Sequence, residues 1–233
     1  MGEMTRRGWL LAGGAGALAL AGGCATGRGR GFDWRLAERE RLDSAGDALP
    51  VVTRDSAAAR VLRRRARPVP EGLDLERVAA RMRRAMETAG GVGIAGPQVG
   101  LGLRVAVLVT GYKTDAPQTI FVRNPVLLER SDDCRLGYEG CLSIPGVGGL
   151  VRRNRWVRVA YQDAAGRRRE VRASGPDAVL WQHELDHLDG ELYVDRLLGE
   201  LLPMEEVRRL REARERAAEP VSRRWPPLEG ALV

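Results

Sequence analysis

The chain has 233 residues, a formal net charge of +7 and 44% hydrophobic content, enough for one globular domain with a buried core plus extensions. Its basic residues are scattered arginines, Lys113 being the sole lysine, with short clusters at 63–67, 152–155 and 167–169. This is the pattern of a solvated surface rather than of a nucleic-acid partner. Three cysteines, Cys24, Cys134 and Cys141, cannot all pair, which excludes a disulfide scaffold.

The N-terminus, "MGEMTRRGWLLAGGAGALALAGGCATG", joins Arg6 and Arg7 to a Gly/Ala/Leu-rich run of signal-peptide length. "TRRGWL" resembles the twin-arginine export pattern, with Trp9 two positions after the second arginine. "ALAGGC" resembles a lipoprotein cleavage box with Ala21 where leucine is usual, which makes Cys24 the candidate lipidation site. The run is too short and glycine-rich to span a bilayer well or to form a strong helix. The expected location is therefore outside the cytoplasm, periplasmic or attached to a membrane through the N-terminus. A cytoplasmic form needs a different start, and no methionine lies between Met4 and Met82. Residues 1–24 read as the signal. Residues 25–47 mix Gly, Arg, Asp and Glu without periodicity and read as a linker.

The domain is expected over 48–200, as a monomer. Leu75, Val78, Met82 and Met86 recur at helical spacing, so 73–90 predicts an amphipathic helix stopped by Gly90 and Gly91. The segments 104–109, 119–130, 155–163 and 168–174 are β-branched and bounded by Gly, Pro or Asp; they predict strands, with a tight turn at 163–166. A second helix follows over 175–190, with Pro176 and Asp177 in its opening turn. A charged C-terminal helix is expected within 201–219, and an irregular tail over 220–233. Strand runs followed by separate helices give an α+β fold: short antiparallel strands around a central helix, flanked by N-terminal and C-terminal helices.

That central helix carries "WQHELDHLDG", which holds the chain's only histidines, His183 and His187. At i and i+4 they share one helix face and can present two imidazoles to one metal ion, with Glu184 beside it as a general acid/base. Leu180, Leu185 and Leu188 give the helix buried faces, and Asp186 and Asp189 are candidate supports for the histidines. A hydrolytic site needs a third protein ligand. Histidine cannot supply it. The alternatives are Glu191 or Asp195, as in a zincin-type protease, or the Cys141 thiolate in "YEGCLSIPG".

"GVGIAGPQVG" (91–100), "EGCLS" (139–143) and "QHELDHLDG" (182–190) together resemble, in order and spacing, the three motifs of peptide deformylases. The resemblance extends over about residues 49–200. It implies that Cys141, His183 and His187 hold one divalent metal, Fe2+ foremost, with Zn2+ or Ni2+ able to take its place. It also implies removal of formyl from formylmethionyl peptides by metal-bound water, with Glu184 as general acid/base. Gln98 and the Leu142 N–H would stabilise the oxyanion, and Val92 and Gly93 would hold the substrate main chain. Two departures stand out: Gly96 replaces a usual alanine, and Gly148 stands where many members carry a peptide-holding arginine. Outside the cytoplasm a Cys134–Cys141 disulfide is conceivable and would remove a ligand. A zincin-type protease and a non-catalytic lipoprotein that keeps the fold as a binding module are the competing readings.

Overall fold

The computed structural model describes residues 34–43, 46–69, 73 and 75–217; the expected signal, Cys24 and the tail 220–233 lie outside them. Among the described residues no helix is long and apolar enough to cross a membrane.

The apolar run Val105–Thr110, strand β2, has a structural cause: helices cover both of its faces. Val105 and Val107 pack with Val78, Met82 and Met86 of helix α2 (Leu75–Thr88). Ala106 and Leu108, pointing the other way, pack with Leu180, Trp181, Leu185 and Leu188 of helix α3 (Gly175–Asp189). β1 (Gly93–Ala95) pairs antiparallel with β2 and forms one edge of a five-stranded sheet. Next come β3 (Gln118–Arg130), β6 (Trp156–Gln162) and β7 (Arg168–Ser174), in the order β1-β2-β3-β6-β7. The expected turn at 163–166 closes β6 onto β7, with the Gly166 N–H donating to the Asp163 carbonyl. The architecture is α+β with antiparallel pairing in both sheets.

The second sheet, β4-β5-β8, has no counterpart among the predicted strands. β4 (Cys134–Cys141) and β5 (Ile144–Asn154) pair closely, with Gly140 opposite Gly148, and β8 (Leu202–Pro203) adds to β5. Their glycines lower strand propensity, and tertiary packing supplies what propensity lacks. Helix α4 (Met204–Ala217) lies on the glycine pair: a Cβ at Gly148 would sit 2.5 Å from the Glu139 carbonyl and 3.1 Å from Val207 Cγ2. An arginine at position 148 would therefore enter the α4 interface on the strand face opposite Glu139 and Cys141.

Two further expectations need correction. Residues 34–43, within the stretch read as linker, form helix α1 (Trp34–Asp43). Such a short, charged helix is marginal alone. Here Glu38 is buried against Arg67, and Arg81 of α2 donates to the Arg41 and Leu42 carbonyls at 3.0 and 2.8 Å, satisfying the helix end. The Cys134–Cys141 disulfide is also excluded. The two residues open and close β4, about 23 Å apart at ~3.3 Å per residue, whereas a disulfide needs Cα atoms within about 7 Å. Cys134 is exposed and Cys141 buried.

Candidate metal and catalytic site

Helix α3 enters with Ser174 extended and Pro176 in its first turn, and it stops at Gly190, whose φ of 82° provides the left-handed cap. Its length places His183, Glu184 and His187 on the stretch packed against the β1 edge and the β4–β5 hairpin. The hairpin closes on Leu142 and Ser143 after a bulge at Gly140, and this turn presents Cys141 to α3. The Cys141 sulfur and one ring nitrogen each of His183 and His187 lie within 4.8 Å of one another. Tetrahedral coordination with ordinary Zn–S and Zn–N bonds spaces such ligand atoms about 3.5 Å apart. Cys141 Sγ stands 3.2 Å from His187 Nε2.

His183 Nδ1 meets Glu139 Oε2 at 2.9 Å, so the ring donates there and leaves Nε2 as its ligand atom, at which a metal would compete with a proton. Glu139 is clamped by Arg153, whose Nε and a terminal nitrogen donate at 2.7 and 2.9 Å. Arg153 also donates to Asp186, which accepts two bonds from Arg196 at 2.9 and 3.0 Å. Burial raises the Glu139 carboxyl, but Arg153 and His183 outweigh it and hold the group down at about 2. Burial lowers His183, and contact with Cys141 and Glu139 outweighs that and raises it. Burial, then the charges of His183 and Arg153, push His187 well below its ordinary value, which favours the neutral ring that metals bind.

Of the supports expected for the histidines, Asp186 acts only through Arg153, while Asp189 turns away to Arg104 at 2.8 Å. The direct support is Glu139, to which the motifs assign no role. A sequence signal for it exists: on a strand, Glu139 and Cys141 share one face. Glu191 pairs with Arg196, and Asp195 accepts from Arg63 and the Leu192 N–H, so neither joins the ligand cluster.

Glu184 is buried, with Oε2 lacking any hydrogen-bond partner, and burial pushes its carboxyl up to about 7. Its other oxygen lies directly over Gly93, where a Cβ would collide with it and with Leu180 Cδ1. Gly93 therefore has to be glycine for the carboxylate to sit against β1. Gln98 occupies the short 3-10 helix Gly96–Val99: Oε1 accepts the Ala95 N–H at 2.8 Å, and Nε2 points to Cys141 Sγ at 3.4 Å. The first bond fixes which way the amide faces. Gly96 lets this turn approach its neighbour, since a Cβ would lie 2.6 Å from the Leu103 carbonyl.

Leu142 sits in the hairpin turn with its side chain over Gly91. The Val92 carbonyl accepts the Val109 N–H at 2.8 Å, so that group is committed to β2. By the alternation of an antiparallel pair, Gly93 then turns both of its main-chain groups to the free edge of β1, as Ala95 turns its N–H to Gln98.

Residues 49–200 match the family described as polypeptide deformylase. A peptide deformylase of Roseiflexus castenholzii is 43% identical over 135 residues, covering 53% of this chain and 73% of that relative. The crystal structure of a peptide deformylase from Synechococcus elongatus in complex with actinonin shares 32% identity at a TM-score of 0.61, covering 76% of this chain and 95% of that one. A Met-Ala-Ser-bound class I type b peptide deformylase from Acinetobacter baumannii shares 34% identity at a TM-score of 0.58, covering 64% and 98%.

Proposed function

This chain belongs to the polypeptide deformylase family, and on that premise we propose that it hydrolyses the formyl group from N-terminal formylmethionine of peptides. The observation that carries the reading is the cluster of Cys141, His183 and His187 donors beside a buried Glu184 carboxylate, next to a free strand edge. One thiolate and two imidazoles suit a single divalent ion; the family resemblance puts Fe2+ foremost, with Zn2+ or Ni2+ as substitutes. When bound, that ion supplies a Lewis acid and an acidified water.

The chain's own residues do the rest. The substrate main chain adds to the edge of β1 at Gly93, which places its formyl group between α3 and the hairpin turn. Glu184 takes a proton from the attacking water and delivers it to the departing amine, so that the C–N bond breaks to give formate and a free amino terminus. Gln98 Nε2 and the Leu142 N–H donate to the formyl oxygen as it gains charge. Val92, whose carbonyl is already taken by β2, can offer only its side chain beside that edge; the residue is 38% exposed.

The test is formate release from formyl-Met-Ala-Ser by anaerobically prepared protein, with metal analysis on the same sample. About one metal per chain and catalytic formate release are expected. Cleavage of an internal peptide bond would favour the zincin-type reading, and peptide binding without turnover would favour the binding module.

We further propose that residues 1–24 export the protein and that Cys24 is acylated, a reading supported by Arg6, Arg7 and the small residues before Cys24. Cell fractionation with a clickable palmitate label should find label in the membrane fraction, lost in Cys24→Ala. Unlabelled protein in the cytosol would overturn it.

A further inference from the structure

Helix α1 precedes the family-matched segment 49–200, yet it reaches the turn that holds Gln98. Arg41 donates through one terminal nitrogen to the Val99 carbonyl at 3.2 Å and to the Pro50 carbonyl at 3.5 Å. Its side chain also fills the space over Gly100, whose φ is 77°; a Cβ there would lie 2.6 Å from the guanidinium carbon. Two of Gly100's neighbours are held as well, since the Val99 carbonyl takes Arg41 and the Gln98 carbonyl takes the Val52 N–H at 2.7 Å. Pro50, on that same segment, is the second acceptor of Arg41.

Arg41 is itself anchored from two sides. Arg81 of α2 holds the carbonyls at the end of α1, and Glu38, one turn earlier, is buried against Arg67. The Arg67 N–H donates to the Gly102 carbonyl, and its own carbonyl accepts the Arg104 N–H. The loop that leads from Gln98 to β2 is therefore fastened to α1 at two points: directly at Val99 and through Arg67 at Gly102.

We infer that α1 is a strap across this loop and that Arg41 is a positioning residue for Gln98. It acts through the main chain of Val99 and Gly100. With that backbone fixed, the Gln98 amide keeps Oε1 on the Ala95 N–H and turns Nε2 toward the site. The consequence for catalysis rests on the deformylase reading; the positioning itself does not.

Two readouts test it. In the metal-loaded protein, Arg41→Ala should lower kcat about tenfold with KM changed less than about twofold and metal content intact, and Arg41→Lys, which keeps a donor, should recover most of the loss. In a Gln98→Ala background the same Arg41→Ala substitution should lower kcat by less than about twofold, because its effect passes through Gln98. Equal losses in both backgrounds would overturn the inference.

The second readout is hydrogen exchange at the Ala95 amide, whose acceptor is the Gln98 side chain. Exchange there should quicken about tenfold in Arg41→Ala while β6 and β7 amides stay unchanged. Unchanged Ala95 exchange would also overturn the strap. If Arg41→Ala does not fold, Arg41→Met, which keeps a long stem over Gly100 but has no N–H donor, must show the same ordering. A wild-type protein that releases no formate would sink the deformylase reading alone, and Ala95 exchange would still decide the strap.

Discussion

Cys141→Ala should remove metal and deformylase activity together, whereas Glu184→Gln should keep the metal and lose the activity. Cys141 brings the one thiolate of the donor cluster, and its loss leaves two imidazoles on a single helix face. Metal affinity should fall by more than the ~10–100-fold that follows loss of a hydrogen bond supporting a ligand. Glu184 is different in kind: its free Oε2 makes no hydrogen bond, and it sits over Gly93 rather than within the donor cluster. Burial places its carboxyl at about 7, close to the pH at which a group can both accept and return a proton. Glutamine keeps the shape and loses that exchange, so kcat should fall about 10³-fold with metal content unchanged. Metal analysis and formate assays on the two purified variants make the comparison. Metal and activity surviving in Cys141→Ala would return the site to a protease-type ligand set, and near-normal kcat in Glu184→Gln would remove Glu184 from proton transfer.

The parts of the site that local rules govern are legible in the amino-acid sequence. His183, Glu184 and His187 share a helix face because of the 3.6-residue period, and β2 reads as a strand because both of its faces need apolar cover. Cys141 is a different matter. Residue chemistry leaves it level with Glu191 and Asp195, and only the three-motif resemblance favours it, because its approach depends on the hairpin β4–β5. That hairpin is illegible: Gly137, Gly140, Gly148 and Gly149 argue against strands, and only the packing of α4 on Gly140 and Gly148 explains why two of them are tolerated. Arg153 is hidden for a related reason. The cluster at 152–155 looks like solvated charge, yet strand alternation exposes Arg152 and buries Arg153 beside Glu139. Helix α1 gives no periodic signal because ion pairing and capping by Arg67 and Arg81 hold it, rather than an apolar stripe.

Arg153→Met should destabilise the protein by about 3–5 kcal/mol and weaken metal binding at the same time. The side chain lies between two buried carboxylates, Glu139 and Asp186, and donates to both. Methionine fills much of the volume but leaves Glu139 with His183 as its remaining partner. Asp186 keeps Arg196 and suffers less. An under-compensated Glu139 carboxylate then has two ways to relax. It can take up a proton, which weakens its hold on His183, or it can draw water into the hairpin interface. Either loosens the imidazole, so metal affinity should drop by roughly 10–100-fold, read by competition with a chelator. The loss of stability should be read by denaturant titration of the metal-free proteins, which keeps metal binding out of the comparison. Adding Glu139→Gln to Arg153→Met separates two causes. If the penalty arises from the stranded charge, the double variant should recover about 1–2 kcal/mol relative to Arg153→Met while its metal affinity stays low, since a neutral amide accepts more weakly from His183. A double variant no more stable than Arg153→Met would mean that Arg153 acts by packing the β4–β5 hairpin against α3, and the stranded-charge account of Glu139 would have to be withdrawn.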